Sequence, residues 1–287
     1  MRKGNVRLLS LAIAAMLALA GCSTPAGSGS IQVKGSDTMV NLGQKWAETF
    51  MAKNPGVQIA ITGGGSGTGI SALINRTTDV AQASRAMKDE EKADATKVGV
   101  TAQEIPVALD GLAVGVNPAN QVGELDFKQL SDIFTGKVTD WKDVGGSAGK
   151  IVLLSRESNS GTHVFFLEHV LQYDKDTKKK YAASALLMPS SQAIVDELTQ
   201  NPNAIGYFGM GYLSDKIKTV AVKKAATDKA MKPSIEDVQG GTYAISRELY
   251  VYTDGEPSGA IKAYVDFMLS PEGQDVVKQM DFVPLAK

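Results

Sequence analysis

The chain has 287 residues, with 30 Lys+Arg against 31 Asp+Glu, a single cysteine and two histidines. One cysteine excludes an internal disulfide and any CxxC metal or redox site. The near-neutral balance argues against a nucleic-acid-binding surface; the one basic cluster, Lys178-Lys179-Lys180, follows Asp174 and Asp176 and fits a solvated turn.

Residues 1–21 have the build of an export signal. Arg2, Lys3 and Arg7 precede the apolar run Leu8 to Ala20, which is too short to span a bilayer comfortably. The run ends in Leu19-Ala20-Gly21-Cys22, which resembles a bacterial lipobox; that resemblance implies acylation of Cys22 (palmitate among the acyl chains) and a membrane anchor on the mature chain. Loss of the signal leaves 27 basic against 31 acidic residues, a net charge of −4. Residues 22–30, rich in Gly and Ser, are expected to be a flexible tether.

From Ile31 onward short β-rich runs alternate with helical ones, the pattern of an α/β protein. Ile31 to Val33 opens as a strand. Thr38 to Lys53 follows as a helix with Leu42, Trp46 and Phe50 on one face. Strands are expected at 57–61 and 80–83, and helices at about 68–76 and 88–97. A long apolar strand covers 105–116, and a helix 127–135. A strand at 151–154 leads into a helix reaching Leu171. Further helices are expected at 191–199, 258–269 and 271–280, with a second long strand within 243–252. The two long strands suggest two crossings between lobes: 31–109 with 242–287, and 110–241. A ligand cleft would lie between them.

Three loops share one character: Gly35-Ser36-Asp37-Thr38, Gly65-Ser66-Gly67-Thr68-Gly69 and Ser158-Asn159-Ser160-Gly161-Thr162. Each follows a strand and opens a helix, where unpaired N–H groups and the positive end of the helix dipole favour an anion. One such loop is an ordinary N-cap. Three can converge on one tetrahedral oxyanion. Arg156 and Arg85 stand at strand ends beside these loops, and a guanidinium fork suits such an anion. The alternative for each arginine is a surface ion pair.

Enzyme chemistry is poorly supported. The glycine-rich loop lacks the lysine of a P-loop, and Ser66 lacks the last glycine of a nucleophile elbow. His163 and His169, six apart, do not share a helix face as a metal pair would, so no metal and no cofactor is expected. Trp46, Trp141, Phe165, Phe166 and Phe267 are expected in the core.

The combination GSDT, GGGSGTG, ASR, ALDGLAVGVNP, LSDIFTGKVTDW and SRESNSGT resembles the phosphate-binding proteins of bacterial high-affinity phosphate ABC transporters, across about Ile31 to Phe282. The resemblance implies a two-lobed periplasmic-binding-protein fold of type II, each lobe a mixed sheet flanked by helices. It also implies hinge closure, a periplasmic or outer-face location, docking on ABC permease subunits, and a monomer. By position it assigns phosphate binding to Ser36, Asp37, Thr38, Ser66, Gly67, Ser84, Arg85, Arg156, Ser160, Gly161 and Thr162. In the best-studied branch an aspartate that accepts the phosphate proton stands where this chain has Arg85. Asp37 is the substitute acceptor expected here, unless it only caps its helix; Asp110 and Glu157 are weaker candidates. A receptor for sulfate, molybdate or tungstate is the neighbouring reading, and a secreted phosphatase using Ser66 or Ser160 the more distant one.

Overall fold

The computed structural model describes residues 29–286. The signal, most of the tether and Cys22 lie outside the described residues.

The first part of the chain alternates strand and helix: β1 (Gly29–Gly35), α1 (Val40–Lys53), β2 (Val57–Thr62), α2 (Ser66–Ile74), β3 (Val80–Ala83) and α3 (Asp89–Lys97). β1 lies between β2 and β3 and is parallel to both. Parallel strands must be joined by crossovers, and α1 and α2 supply them. Trp46 and Phe50 lie on the buried face of α1 beneath this sheet, as their i, i+4 spacing requires.

β4 (Ala102–Val116) is the long strand that ties the molecule together. Its first part, Ala102–Gly111, pairs antiparallel with β10 (Ser246–Asp254), which also pairs with β3. Its second part, Leu112–Val116, pairs antiparallel with β8 (Ala204–Gly209), and Val114–Val116 also pair with β9 (Lys218–Lys223). β8 is parallel to β6 (Val152–Arg156), which is parallel to the edge strand β7 (Leu186–Met188). The main sheet therefore runs β2-β1-β3-β10-β4-β8-β6-β7, with β5 (Glu124–Asp126) attached through β9. β4 is buried on both sides along Leu112–Val116, which explains the unbroken apolar run there.

Helices α4 (Phe127–Phe134), α5 (Gly161–Phe166), α6 (Ser191–Gln200) and the short α7 (Ile235–Gln239) cover the second part. α5 continues as a π-helical turn, Leu167–Leu171. α8 (Gly259–Leu269) and α9 (Pro271–Gln279) return to the first part, where Trp46 Nε1 donates to Gly273 O at 2.8 Å.

The apolar interior forms separate clusters. One joins Ile31, Trp46, Val80, Leu249, Tyr264 and Val277. The largest joins Leu112, Phe134, Trp141, Phe166, Tyr207 and Val220, and also takes in Tyr243, Ile245 and Val283 from the C-terminal segment. That segment thus serves both cores. The expected core aromatics are placed there, Phe267 only partly buried. Five elements escaped the sequence reading: β5, β7, β8, β9 and α7. No helix among the described residues is long and apolar enough to cross a membrane.

Candidate functional site

The C-terminal ends of β1, β2, β3 and β6 point their following loops toward the place where β4 passes from one set of partners to the other. The loops after open α/β strands are where such folds bind ligands. Four hydroxyls from four loops meet there, all on residues at most 1 % exposed. Thr38 Oγ1 and Thr162 Oγ1 are hydrogen-bonded at 2.7 Å. Ser66 Oγ lies 3.3 Å from Ser84 Oγ and accepts the Ser84 N–H at 3.0 Å. Gly161 closes the gap between the pairs: a Cβ on it would stand 2.3 Å from Ser66 Oγ and 2.7 Å from Ser84 Oγ, so any side chain there must displace the two serines. Gly65, at φ 96°, makes the turn into α2 and brings the backbone against Asn159.

Beneath the hydroxyls lies a buried ion pair. Arg247 of β10 and Asp110 of β4 are directly opposite in the ladder. Arg247 Nε and Nη2 donate to Asp110 Oδ2 at 3.0 and 2.7 Å, and Nη2 also reaches Thr162 Oγ1 at 3.0 Å. Arg247 Nη1 donates to Ser84 O at 2.9 Å. Asp110 Oδ1 accepts the Met210 N–H at 3.1 Å. An added Cβ on Gly209 would meet both Thr38 Cγ2 and the Asp110 carboxylate, so Asp110 sits beside Thr38. Burial pushes the Asp110 carboxyl above its usual range, and Arg247 opposes that push. Burial acts on Arg247 in turn, lowering its pKa, against the attraction of Asp110.

The predicted residues are distributed unevenly. Thr38, Ser66, Ser84, Gly161 and Thr162 come together. Ser36 is buried in the first loop. Ser160 caps α5, its Oγ accepting the His163 N–H. The Gly67 N–H donates to Asn159 O at 3.0 Å. Arg156, expected to fork onto an anion, instead donates to protein acceptors throughout: Nε to Met188 O, Nη2 to Pro189 O, and Nη1 to Ser191 Oγ and Asp37 Oδ1. The Asp37 side chain makes no capping bond to its own helix; its Oδ1 accepts the Ser191 N–H at 2.7 Å. Glu157 is exposed.

Arg85 grips Glu91 end-on, at 2.8 Å from Nη1 and 2.7 Å from Nη2. Burial of Glu91 works against its charge, but Arg85 and the Lys88 N–H hold its pKa below the usual value. Arg85 Nε is buried with no hydrogen-bond partner among the described residues. Arg85 and Arg247 both line a cavity of about 410 Å³ whose other walls include Val164, Phe165, Glu168 and Tyr250. A buried unpartnered N–H is costly in a native fold, and an anion at that edge would satisfy it.

Sequence reasoning did not name Arg247, and it gave Asp110 only as a weaker acceptor candidate. β4 carries Glu104 and Asp110, and β10 carries Arg247, Glu248 and Asp254, so the charges in the two strands do not by themselves single out this pair.

Donors from several loops thus converge on one buried point, in a fold whose two sheet regions share β4. His163, the histidine nearest these hydroxyls in sequence, has its Nδ1 2.8 Å from Arg156 O and 3.2 Å from Ser155 Oγ. The profile of the PBP superfamily domain matches residues 21–272, and the chain belongs to that superfamily. Within it the similarity is to phosphate-binding proteins PstS. The protein of that name from Pseudomonas aeruginosa is 34% identical over 275 residues, covering 90% of this chain and 84% of the relative. The one from Bacillus subtilis is 31% identical, covering 99% and 95%. Among solved structures, a Clostridium perfringens protein described as a phosphate ABC transporter substrate-binding protein, with bound phosphate, superposes with a TM-score of 0.81 at 31% identity, covering 90% of this chain and all of that one.

Proposed function

We propose that this chain captures inorganic phosphate between two lobes and delivers it to an ABC importer, from a lipid-anchored position outside the cytoplasm. The observation that carries the reading is the meeting of the Thr38, Ser66, Ser84 and Thr162 hydroxyls above Arg247. A tetrahedral anion has enough acceptor positions for all of them. The Thr38–Thr162 and Ser66–Ser84 bonds are ones the hydroxyls can exchange for anion oxygens. The N–H groups of Gly161 and Thr162, first in α5, add donors without intrahelical partners. Arg85 presents its unpartnered Nε edge from the adjoining cavity.

The lobes are taken as 31–109 with 242–287, and 110–241. Thr38, Ser66, Ser84 and Arg247 then belong to the first, and Gly161 and Thr162 to the second, so an anion held by both favours closure. Asp110, where the first lobe passes into the second, is the acceptor for the phosphate proton. Its carboxylate takes three hydrogen bonds, two from Arg247 and one from the Met210 N–H. A carboxylate has about four acceptor positions, so one remains. Sulfate at neutral pH has no proton to offer it and is repelled.

Delivery to permease subunits, action as a monomer and acylation of Cys22 follow from the family reading and the lipobox. Calorimetry of the purified protein with phosphate, sulfate, molybdate and tungstate tests the ligand. Phosphate should bind well ahead of the rest; preference for another oxyanion would replace the assignment. No phosphate should be released from a generic phosphate ester; turnover above background would support the phosphatase reading.

A further inference from the structure

Asp37 lies in the first ligand loop, yet its contacts go elsewhere. Its carboxylate Oδ1 is 2.9 Å from Arg156 Nη1 and accepts the N–H of Ser191, the first residue of α6, at 2.7 Å. Its backbone O accepts the Tyr212 hydroxyl at 2.9 Å. All three partners come from the β6–β8 side of the molecule, whereas Asp37 itself follows β1. Arg156 is 2 % exposed and is held in place by Met188 O, Pro189 O and Ser191 Oγ. The socket is therefore rigid, charged and built from the second side alone. Its one partner from the first side is a half-buried aspartate.

A second strap crosses nearby: Asn159 Nδ2 donates to Gly64 O at 2.8 Å, and Asn159 O accepts the Gly67 N–H. That strap uses neutral groups on an exposed side chain. Asp37 is the charged cross-tie closest in sequence to a ligand hydroxyl, next to Thr38.

We propose that Asp37 is a positioning residue, a latch that docks into the Arg156–Ser191 socket, holds Thr38 against Thr162 and sets how slowly the bound oxyanion is released. This rests on the phosphate-binding reading above. With its carboxylate turned onto Arg156 and Ser191, the latch acts on release and not on encounter. For the same reason it acts alike on every oxyanion the site admits. Charge-assisted bonds inside a closed cleft are stronger than neutral ones, so loss of the charge should be felt even where shape is kept.

The test is Asp37→Asn, which keeps the size and one acceptor for the Ser191 N–H. Stopped-flow measurement with orthophosphate, using a fluorophore attached near the cleft, should give an association rate within about twofold of wild type and a dissociation rate raised about tenfold or more. Competition with sulfate should leave the phosphate-to-sulfate ratio unchanged. Arg156→Gln should reproduce the faster release, and the double variant should be little worse than either single one, since both remove the same tie. Thermal melts confirm that each variant folds. An unchanged dissociation rate in Asp37→Asn would overturn the latch. A phosphate-to-sulfate ratio narrowed by an order of magnitude would overturn it differently, by making Asp37 the proton acceptor. Failure of wild-type protein to bind phosphate would instead remove the functional reading on which the latch rests.

Discussion

Asp110→Asn separates the structural and discriminating roles of the buried ion pair. The carboxylate is fully buried and binds Arg247 through Nε and Nη2. Replacing it with an amide leaves the guanidinium without its counter-charge. Breaking a buried pair from one side costs on the order of 3–5 kcal/mol. For a chain of this size that corresponds to a fall in Tm of roughly 10 °C. The ligand effect is of a different kind. The hydrogen bond from a protonated oxyanion to a charged acceptor is worth roughly 1.5–3 kcal/mol, about ten- to 150-fold in affinity. Sulfate should move the other way, because the repelling charge is gone and an N–H donor has taken its place. Competition calorimetry near neutral pH, at fixed ionic strength, should therefore show phosphate weakened, sulfate strengthened and their ratio reduced by at least tenfold. A folded variant with an unchanged ratio would refute Asp110 as the acceptor. A Tm equal to wild type would refute the energetic role given to the pair.

Gly161→Ala places a methyl 2.3 Å from Ser66 Oγ and should weaken phosphate binding by more than tenfold while leaving Tm within a few degrees, as read by calorimetry and thermal melts; equal affinity would mean that Gly161 does not close on Ser66. His163 is held below its ordinary pKa of 6.5, first by burial and further by the Arg156 charge, against the opposing hydrogen bond to Arg156 O. The folded state therefore keeps it neutral where the unfolded chain takes up a proton. Its contribution to stability is present above about pH 6.5 and is lost as pH falls toward the folded-state pKa. Urea midpoints measured between pH 8 and 5 should fall less steeply in His163→Gln than in wild type, and identical slopes would contradict this. Cys22→Ala should abolish incorporation of a labelled fatty acid; label retained by the variant would remove the lipid anchor.

Much of the architecture was legible because it depends on local rules. The i, i+4 spacing of Leu42, Trp46 and Phe50 gave α1, and the unbroken apolar run ending at Val116 gave β4. The ligand loops announced themselves through Gly and Ser at strand ends. β7 and β8 were passed over because each is short and follows or precedes turn-rich sequence; β8 in particular contains two glycines within Ala204–Gly209. The site itself was half legible. Thr38, Ser66 and Thr162 carry a local signature, a hydroxyl beside a helix start, and Ser84 stands at a strand end. Arg247 carries none, since its role comes from standing opposite Asp110 across a ladder, 137 residues away in sequence. Arg156 shows the same limit. Its position beside Ser160 is local information, whereas its partners Met188, Pro189, Ser191 and Asp37 are supplied by the fold.

The most direct test is a crystal structure of the protein grown with orthophosphate. Tetrahedral density should lie within hydrogen-bonding distance of the Thr38, Ser66, Ser84 and Thr162 hydroxyls and of Arg247, with an oxygen against Asp110 and the Thr38–Thr162 bond exchanged for bonds to the anion. Density at the Arg156–Ser191 socket, with Asp37 displaced and the four hydroxyls still paired with one another, would contradict the account.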